Sequence, residues 1–483
     1  MRLNNELMPH QQAGVEKLSH YKVGALFMEQ GTGKTITALE LCRRRIESGK
    51  VSKIIWLCPC SAKDNIKKEI LKQAPPDMLP YIIVCGIESF SQSIRLSVYI
   101  RNLVSQVQCF LVVDESLLIK NPFAIRTKNI QVISEKCPYR LILNGTPISR
   151  NEADLYSQFY LLDWRILGYR SYSSFAANHL EYDPKIPGRV IRCHNIPYLM
   201  QKIEPYTYQV EKKDCIQLPP KKHLSDYVYL TPDQDAHYAD VSMQLLSELD
   251  EERPETLYRL FSACQAIACG RRVDFVPDSH GYRHMQTKPF FDDPAENPRL
   301  EKLLELLNPE QKQLIYCTYT SDIHAICHII NERYGAGSAV PFDGKVPMRQ
   351  RMANVEAFEK QDKTRFMVGN RNCAGYSLNL QFCHSIIYYA NVWNLATRLQ
   401  SEDRTHRIGQ KHQVDITDIF AYDTIDERII DSLWRKENLL DRIRSELGSH
   451  SKNAHDVAAE VVMRKGRERI QTTIYDCSDL EVS

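Results

Sequence analysis

Three stretches of this 483-residue chain combine residue types and spacings that suit phosphoryl chemistry. The first is MEQGTGKT, residues 28–35, which runs straight into a helical pattern. Gly31 and Gly33, on either side of Thr32, let the backbone turn sharply and aim N–H groups at phosphate oxygens. Lys34 adds a cation that can follow β- and γ-phosphates, and Thr35 a hydroxyl that can hold Mg²⁺. The following helix points its positive end at the same phosphates. The strict pattern G-x-x-x-x-G-K-[ST] has glycine where Met28 stands, so the stretch alone fits either a phosphate loop or a turn before a buried helix. The second stretch, VVDES (112–116), is an apolar strand ending in two carboxylates. Asp114 can hold Mg²⁺ directly or through water, and Glu115 can polarise a water for in-line attack on a γ-phosphate. The third, QSEDRTHRIGQ (400–410), sets Arg404 and Arg407 three apart, on one face if the segment is helical. Guanidinium groups can stabilise charge spreading over a transferring phosphoryl group. The plainer alternative is pairing with Glu402 and Asp403 on a solvated helix.

These residues need elements to position them. VGALFM (23–28) reads as the strand feeding the loop; KIIWLC (53–58), FLVVD (110–114) and RLILN (140–144) read as further buried parallel strands. Helical patterns alternate with them, as in 61–73, so a doubly wound α/β domain is expected. From 151 to 310 the pattern loosens: 232–249 is helical, while 250–255 and 275–298 read as loops or a charged insertion. A second α/β pattern follows, with strands at 312–317, 365–369 and 385–390 and helices over 322–335 and 348–361. An amphipathic helix over 425–447 either braces one lobe on the other or packs on its own lobe. The expected division is an ATP-binding lobe over 1–205, a linker and helical insertion over 206–310, a second lobe over 311–447 and a polar tail over 448–483.

Composition narrows the class. At 43% apolar and 25% charged residues, this is the balance of a globular protein, and a net charge of +2 excludes a generally basic nucleic-acid coat. Fifteen cysteines, scattered and odd in number, fit reduced thiols better than a disulfide or zinc framework. MRLNNELMPHQQ lacks a signal-peptide core, and no run of 18 apolar residues occurs. A cytoplasmic protein, with no membrane contact and monomeric, is expected.

Taken in order, the motifs resemble those of the Swi/Snf-type ATPases of helicase superfamily two, over roughly residues 7–447. LMPHQQAGV (7–15) resembles the adenine-sensing segment and MEQGTGKT motif I, where the family accepts an apolar residue at Met28. LCPCSAKDNIKKEI (57–70) is similar to motif Ia, DESLLIKN (114–121) to motif II, and LILNGTPISRN (141–151) to motif III. CAGYSLNLQFCHSIIYYANVWN (373–394) resembles motif V with its W-N extension, and R-x-H-R-I-G-Q (404–410) motif VI. The resemblance implies two tandem RecA-like doubly wound parallel-sheet lobes of the α/β class, with helical insertions and a C-terminal bracing helix. It implies ATP and Mg²⁺ as cofactors, with Gln11 as the base-reading amide and Gln400, Arg404 and Arg407 completing the site from the second lobe. It implies Gly145 and Thr146 as coupling residues, and Ser61, Lys63, Asn144, Ser377, Asn379 and Trp393 as contacts to double-stranded DNA. Trp393 fits a buried position equally well. The implied activity is ATP hydrolysis coupled to translocation on duplex DNA. The rivals are a strand-separating helicase and a weakly catalytic binding module. Two residues depart from the pattern: Leu117 replaces the usual histidine of motif II, which would alter coupling, and Asp403 replaces a common glycine.

Overall fold

The computed structural model describes residues 1–145, 148, 152–182, 190–215, 217–249, 254–277, 283–370, 378–435 and 454–463. The chain divides into two compact units at Gln217/Leu218.

The first unit is built on β1 (Val23–Met28), β2 (Lys53–Cys58), β3 (Ile82–Gly86), β4 (Cys109–Asp114), β5 (Tyr139–Asn144) and, after a short pair β6 (Leu180–Tyr182) and β7 (Val190–Cys193), β8 (Thr207–Val210). The sheet order is β3-β2-β4-β5-β1-β8, and every pairing is parallel. The central strands are apolar on both faces because both faces are covered. Ala25, Phe27, Ile55 and Leu57 enter one hydrophobic cluster; Leu26, Met28, Ile54 and Trp56 enter the cluster on the opposite face. Each fully buried large side chain adds roughly 1.5–3 kcal/mol, so the strand below the phosphate loop is among the most firmly held parts of the unit.

The second unit contains β9 (Lys221–Val228), a hairpin of β10 (Arg271–Pro277) and β11 (Arg283–Pro289), β12 (Gln313–Cys317), β13 (Ala339–Phe342), β14 (Phe366–Asn370), β15 (Ser385–Tyr388) and β16 (Val414–Ala421). Its main sheet runs β13-β14-β12-β15-β16-β9, again parallel. The expected α/β class with two doubly wound parallel sheets is therefore what the chain adopts.

Three assignments differ. Residues 206–310 are not a linker: β8 pairs with β1 (Ala25↔Thr207 to Met28↔Val210), and β9 pairs with β16 over eight positions. Both are half-exposed edge strands of mixed polarity, so no apolar run betrays them. The stretch read as a charged insertion forms the β10–β11 hairpin, whose alternating residues Val273, Phe275 and Met285 pack inward. The C-terminal helix is described over Ile425–Trp434; it buries Ile425, Ile429 and Leu433 in its own unit, beside the helices Pro232–Ser247 and Pro254–Ala268. Residues 436–447 lie outside the described residues. Part of the expected polar tail joins the same cluster: the helix Ala454–Val462 buries Ala458 and Val462, and Tyr238 donates to the Val462 carbonyl at 3.0 Å.

Candidate nucleotide site

The phosphate loop leaves β1 and enters the helix Lys34–Glu47 through two glycines of positive φ, Gly31 at 85° and Gly33 at 91°. Both are conformations that only glycine adopts without cost. Gly33 is needed for a second reason, since a Cβ there would meet Gln11 Nε2 at 2.2 Å. Gln11 is buried and uses its amide on the loop: Nε2 donates to the Thr32 carbonyl at 2.9 Å, and Oε1 accepts from the Met8 amide at 3.0 Å. His10 Nε2 bonds the same Thr32 carbonyl at 2.8 Å, and Tyr208 on β8 donates to the His10 carbonyl at 2.6 Å. The segment around His10 and Gln11, the loop and β8 thus form one assembly. His10 and Tyr208 escaped the sequence reading because β8 did. Lys34 Nζ reaches back across the loop to the Met28 carbonyl at 2.7 Å. Thr35 is part-exposed in the first turn of the helix.

The acidic pair stands two strands away, with β5 between β1 and β4. The register sets Asp114 beside Leu143 and Phe27 beside Asn144, so the loop, the acidic pair and the end of β5 share the carboxyl edge of the sheet. That edge is where open α/β sheets bind ligands. Glu115 has φ 59°, a left-handed conformation costing a non-glycine residue of order 1 kcal/mol. It ends the strand and starts the 3₁₀ turn Ser116–Ile119, which carries part-exposed Leu117. Ser116 donates to Gln158 at 2.6 Å, and Lys120 pairs with Asp154 at 3.3 Å, pinning the turn to the helix Asp154–Leu167. Asn144, buried at the end of β5, accepts from the Gly145 amide at 2.7 Å, while its Nδ2 has no partner among the described residues. Thr146 lies outside the described residues.

Burial, and secondarily the Glu115 charge, push the Asp114 carboxyl up to about 7, against the pull of Lys34. A buried carboxylate short of positive charge suits a divalent cation. Among the described residues no group of three or more His, Cys, Asp or Glu is placed to hold a metal ion. The shift has a stability consequence. With the folded pKa raised, the native state holds its proton while the unfolded chain ionises. Stability is therefore lost as pH rises from 3.8 towards 7. At 1.36 kcal/mol per unit the cost above pH 7 is of order 4 kcal/mol. Asp114→Asn should relieve it: thermal melts without nucleotide will show the variant gaining stability over the parent between pH 5 and pH 8. Parallel melting temperatures across that range would contradict the assignment.

In the second unit the helix Leu395–Glu402 ends in the turn that carries Arg404 and Arg407. Gln400 is exposed on it. Arg404 is buried, and its carbonyl accepts from the Leu380 amide at 3.0 Å. Arg407 is part-exposed and donates to Asn379 Oδ1, so two of the nominated residues, one from each motif, bind each other. Glu402 does not pair in the expected way with the motif VI arginines. It is buried between Arg398 (2.7 Å) and Lys221 of β9 (2.9 Å). Burial alone would raise its pKa, but Lys221 and Arg398 outweigh it and hold the carboxyl at about 2. Arg398 also bonds Asn391 and makes two bonds to Asp418 of β16, and its guanidinium lies 3.5 Å from the Tyr388 ring centroid. This buried cluster fixes the base of the arginine-bearing turn. Its partners lie on β9, β16 and the segment after β15, which no local pattern connects.

The nominated DNA contacts divide. Ser61 in the turn Cys60–Ala62, Lys63 at the start of the helix Lys63–Gln73, and Asn144 follow or end strands at the carboxyl edge of the first sheet. Ser377 lies outside the described residues. Trp393 belongs to the packing: its ring is 5.9 Å from Phe261 and 6.2 Å from Tyr258, against the second unit's helical cluster. Trp393 is partly buried there, the packed position that the sequence allowed beside a stacking one.

The sequence model of the SNF2-related domain matches residues 10–266, and that of the helicase conserved C-terminal domain matches 298–409. The chain belongs to the SNF2-related family. Among its SNF2-related relatives, an uncharacterized ATP-dependent helicase of Mycoplasma genitalium is 24% identical over 460 residues, 90% of this chain and 42% of the relative. The human SWI/SNF-related matrix-associated actin-dependent regulator of chromatin subfamily A member 1 is 27% identical over 333 residues, 67% of this chain and 30% of the relative. The chain thus spans less than half the length of these curated relatives. A solved Sulfolobus solfataricus SWI2/SNF2 ATPase core in complex with dsDNA is 22% identical, covering 96% of this chain and 98% of that one, with a TM-score of 0.40. No helix among the described residues is long and apolar enough to cross a membrane.

Proposed function

We propose that this SNF2-related chain hydrolyses ATP with Mg²⁺ and converts the cycle into translocation on double-stranded DNA. The observation that carries the reading is the shared carboxyl edge of the first sheet, where the glycine-rich loop and the Asp114–Glu115 pair flank the end of β5. Gly31, Thr32 and Gly33 offer backbone amides to the phosphates, Lys34 exchanges the Met28 carbonyl for phosphate oxygens, and Gln11 senses the base from its seat on the loop. Thr35 and Asp114 would hold Mg²⁺, which when bound supplies charge neutralisation across the β- and γ-phosphates. Glu115 orients the attacking water. Gln400, Arg404 and Arg407 serve the transition state from the second unit, Arg407 leaving Asn379 to do so. Asn144, Gly145 and Thr146 would pass a change at the γ-phosphate to the DNA track, in which Ser61, Lys63, Ser377 and Asn379 take phosphate oxygens without reading sequence.

Family membership and names such as ATP-dependent helicase among the relatives support ATP use; the basic, hydroxyl and amide side chains at motif ends support backbone binding to DNA. The test is ATP turnover with double-stranded, single-stranded and forked DNA, combined with triplex displacement. Duplex-stimulated turnover with displacement is expected, falling steeply with salt as phosphate contacts require. Unwinding of the fork without displacement would favour strand separation, and turnover indifferent to DNA would overturn the motor reading.

A further inference from the structure

The main-chain connection from the first unit to the second is held at one end by the glycine-rich loop and at the other by the turn that carries Arg404 and Arg407. On the first side, Glu29, the second residue of the phosphate-loop motif, accepts from the Lys212 amide through Oε2 at 2.7 Å, and its own amide donates to the Val210 carbonyl at 3.1 Å. The Lys212 side chain is buried, with Nζ 4.0 Å from Glu29 Oε1. On the second side, His406, lying between the two motif VI arginines, bonds the Pro219 carbonyl through Nε2 at 2.8 Å. A carbonyl only accepts, so Nε2 carries the hydrogen. The Pro220 carbonyl accepts from Val414 at 3.1 Å, and Lys221 reaches Glu402 at 2.9 Å. Pro219 and Pro220 fix φ at the entry to the second unit, which leaves fewer torsions there to take up a displacement.

We infer that Glu29 and His406, supported by Glu402 and Lys221, are positioning residues that couple the nucleotide loops to the two ends of this connection. A shift of the phosphate loop is felt at Lys212, and the placement of Arg404 and Arg407 is tied to Pro219 and Lys221. The role fits the chemistry of the gripping groups. None needs to touch nucleotide, yet Glu29, Glu402 and His406 each lie within three residues of one that the proposed function assigns to it. A two-state element biased from both ends is what a coupling mechanism requires. The inference rests on the proposed nucleotide site and adds to it the path by which occupancy reaches the connection.

The test uses the full chain, with Mg·ADP as the probe. Hydrogen exchange of peptides spanning 205–222 is followed with and without nucleotide, alongside ADP affinity and turnover with duplex DNA. In the parent chain nucleotide should slow exchange at the Lys212 amide. Glu29→Ala should abolish that protection while ADP affinity changes by less than about threefold, and should lower DNA-stimulated kcat by about tenfold with little change in KM. His406→Leu should lower it similarly, whereas His406→Gln, whose amide can still donate to Pro219, should restore most of it. Full protection in Glu29→Ala, or equal defects in His406→Gln and His406→Leu, would overturn the coupling. Protection in a parent chain whose turnover ignores DNA would sink the motor reading and leave the coupling standing. Strong DNA stimulation without protection would sink the coupling alone.

Discussion

Arg407→Ala will leave ATP binding within about threefold of the parent chain and lower DNA-stimulated hydrolysis by about 10³-fold or more, the scale of removing a guanidinium from a phosphoryl-transfer transition state. The structure separates Arg407 from the other arginines of its segment. Arg398 is buried among Asp418, Glu402 and Tyr388 and serves as a fixed post. Arg404 is buried, with its carbonyl tied to Leu380. Arg407 is part-exposed and holds a neutral amide oxygen on Asn379, a partner that a phosphate can displace with a gain in charge interaction. Arg407→Lys should recover little, because a point charge lacks the planar fork. Measured nucleotide affinity decides the matter: if Arg407→Ala loses binding and hydrolysis in equal proportion, the residue acts in the ground state and the transition-state role is lost.

The second large effect belongs to Lys34. Its removal withdraws a charge from the β- and γ-phosphates and one that opposes protonation of Asp114. Lys34→Ala should therefore cut turnover by at least about 10²-fold, and the residual activity should show an alkaline-shifted pH profile as Asp114 holds its proton to higher pH. The shift sets a site effect apart from simple misfolding. A profile unmoved from the parent's, or turnover retained with DNA, would remove Lys34 from the phosphates and Asp114 from the Mg²⁺ site together.

The candidate site residues stand out in the sequence because phosphate chemistry demands particular types at short spacings. GTGKT after an apolar strand and two carboxylates at a strand tip are local facts, and 3.6- and 2-residue periodicities are local as well. β1 and β2 fall where their apolar runs predict. Edge strands and cross-chain anchors are different. β8 and β9 carry mixed side chains because one face meets solvent, so their place depends on partners that lie more than 170 residues away in sequence. Nothing near Trp393 in sequence announces its neighbours Phe261 and Tyr258. Glu402 read as a surface partner for its neighbours, because nothing near it announces Lys221 or Asp418.

The sequence by itself determined the family, the phosphate loop and the order of motifs, since each is a local pattern enforced by backbone geometry and charge. Only the tertiary structure decided that β5 stands between the loop and the acidic pair, that β8 and Tyr208 seat the segment around His10 and Gln11, and that Glu29 and His406 hold the ends of the connection. Parallel sheets are assembled by crossovers that bring distant segments side by side. The neighbours on a sheet edge, and the bonds they make, are therefore properties of the fold and of no single stretch of chain.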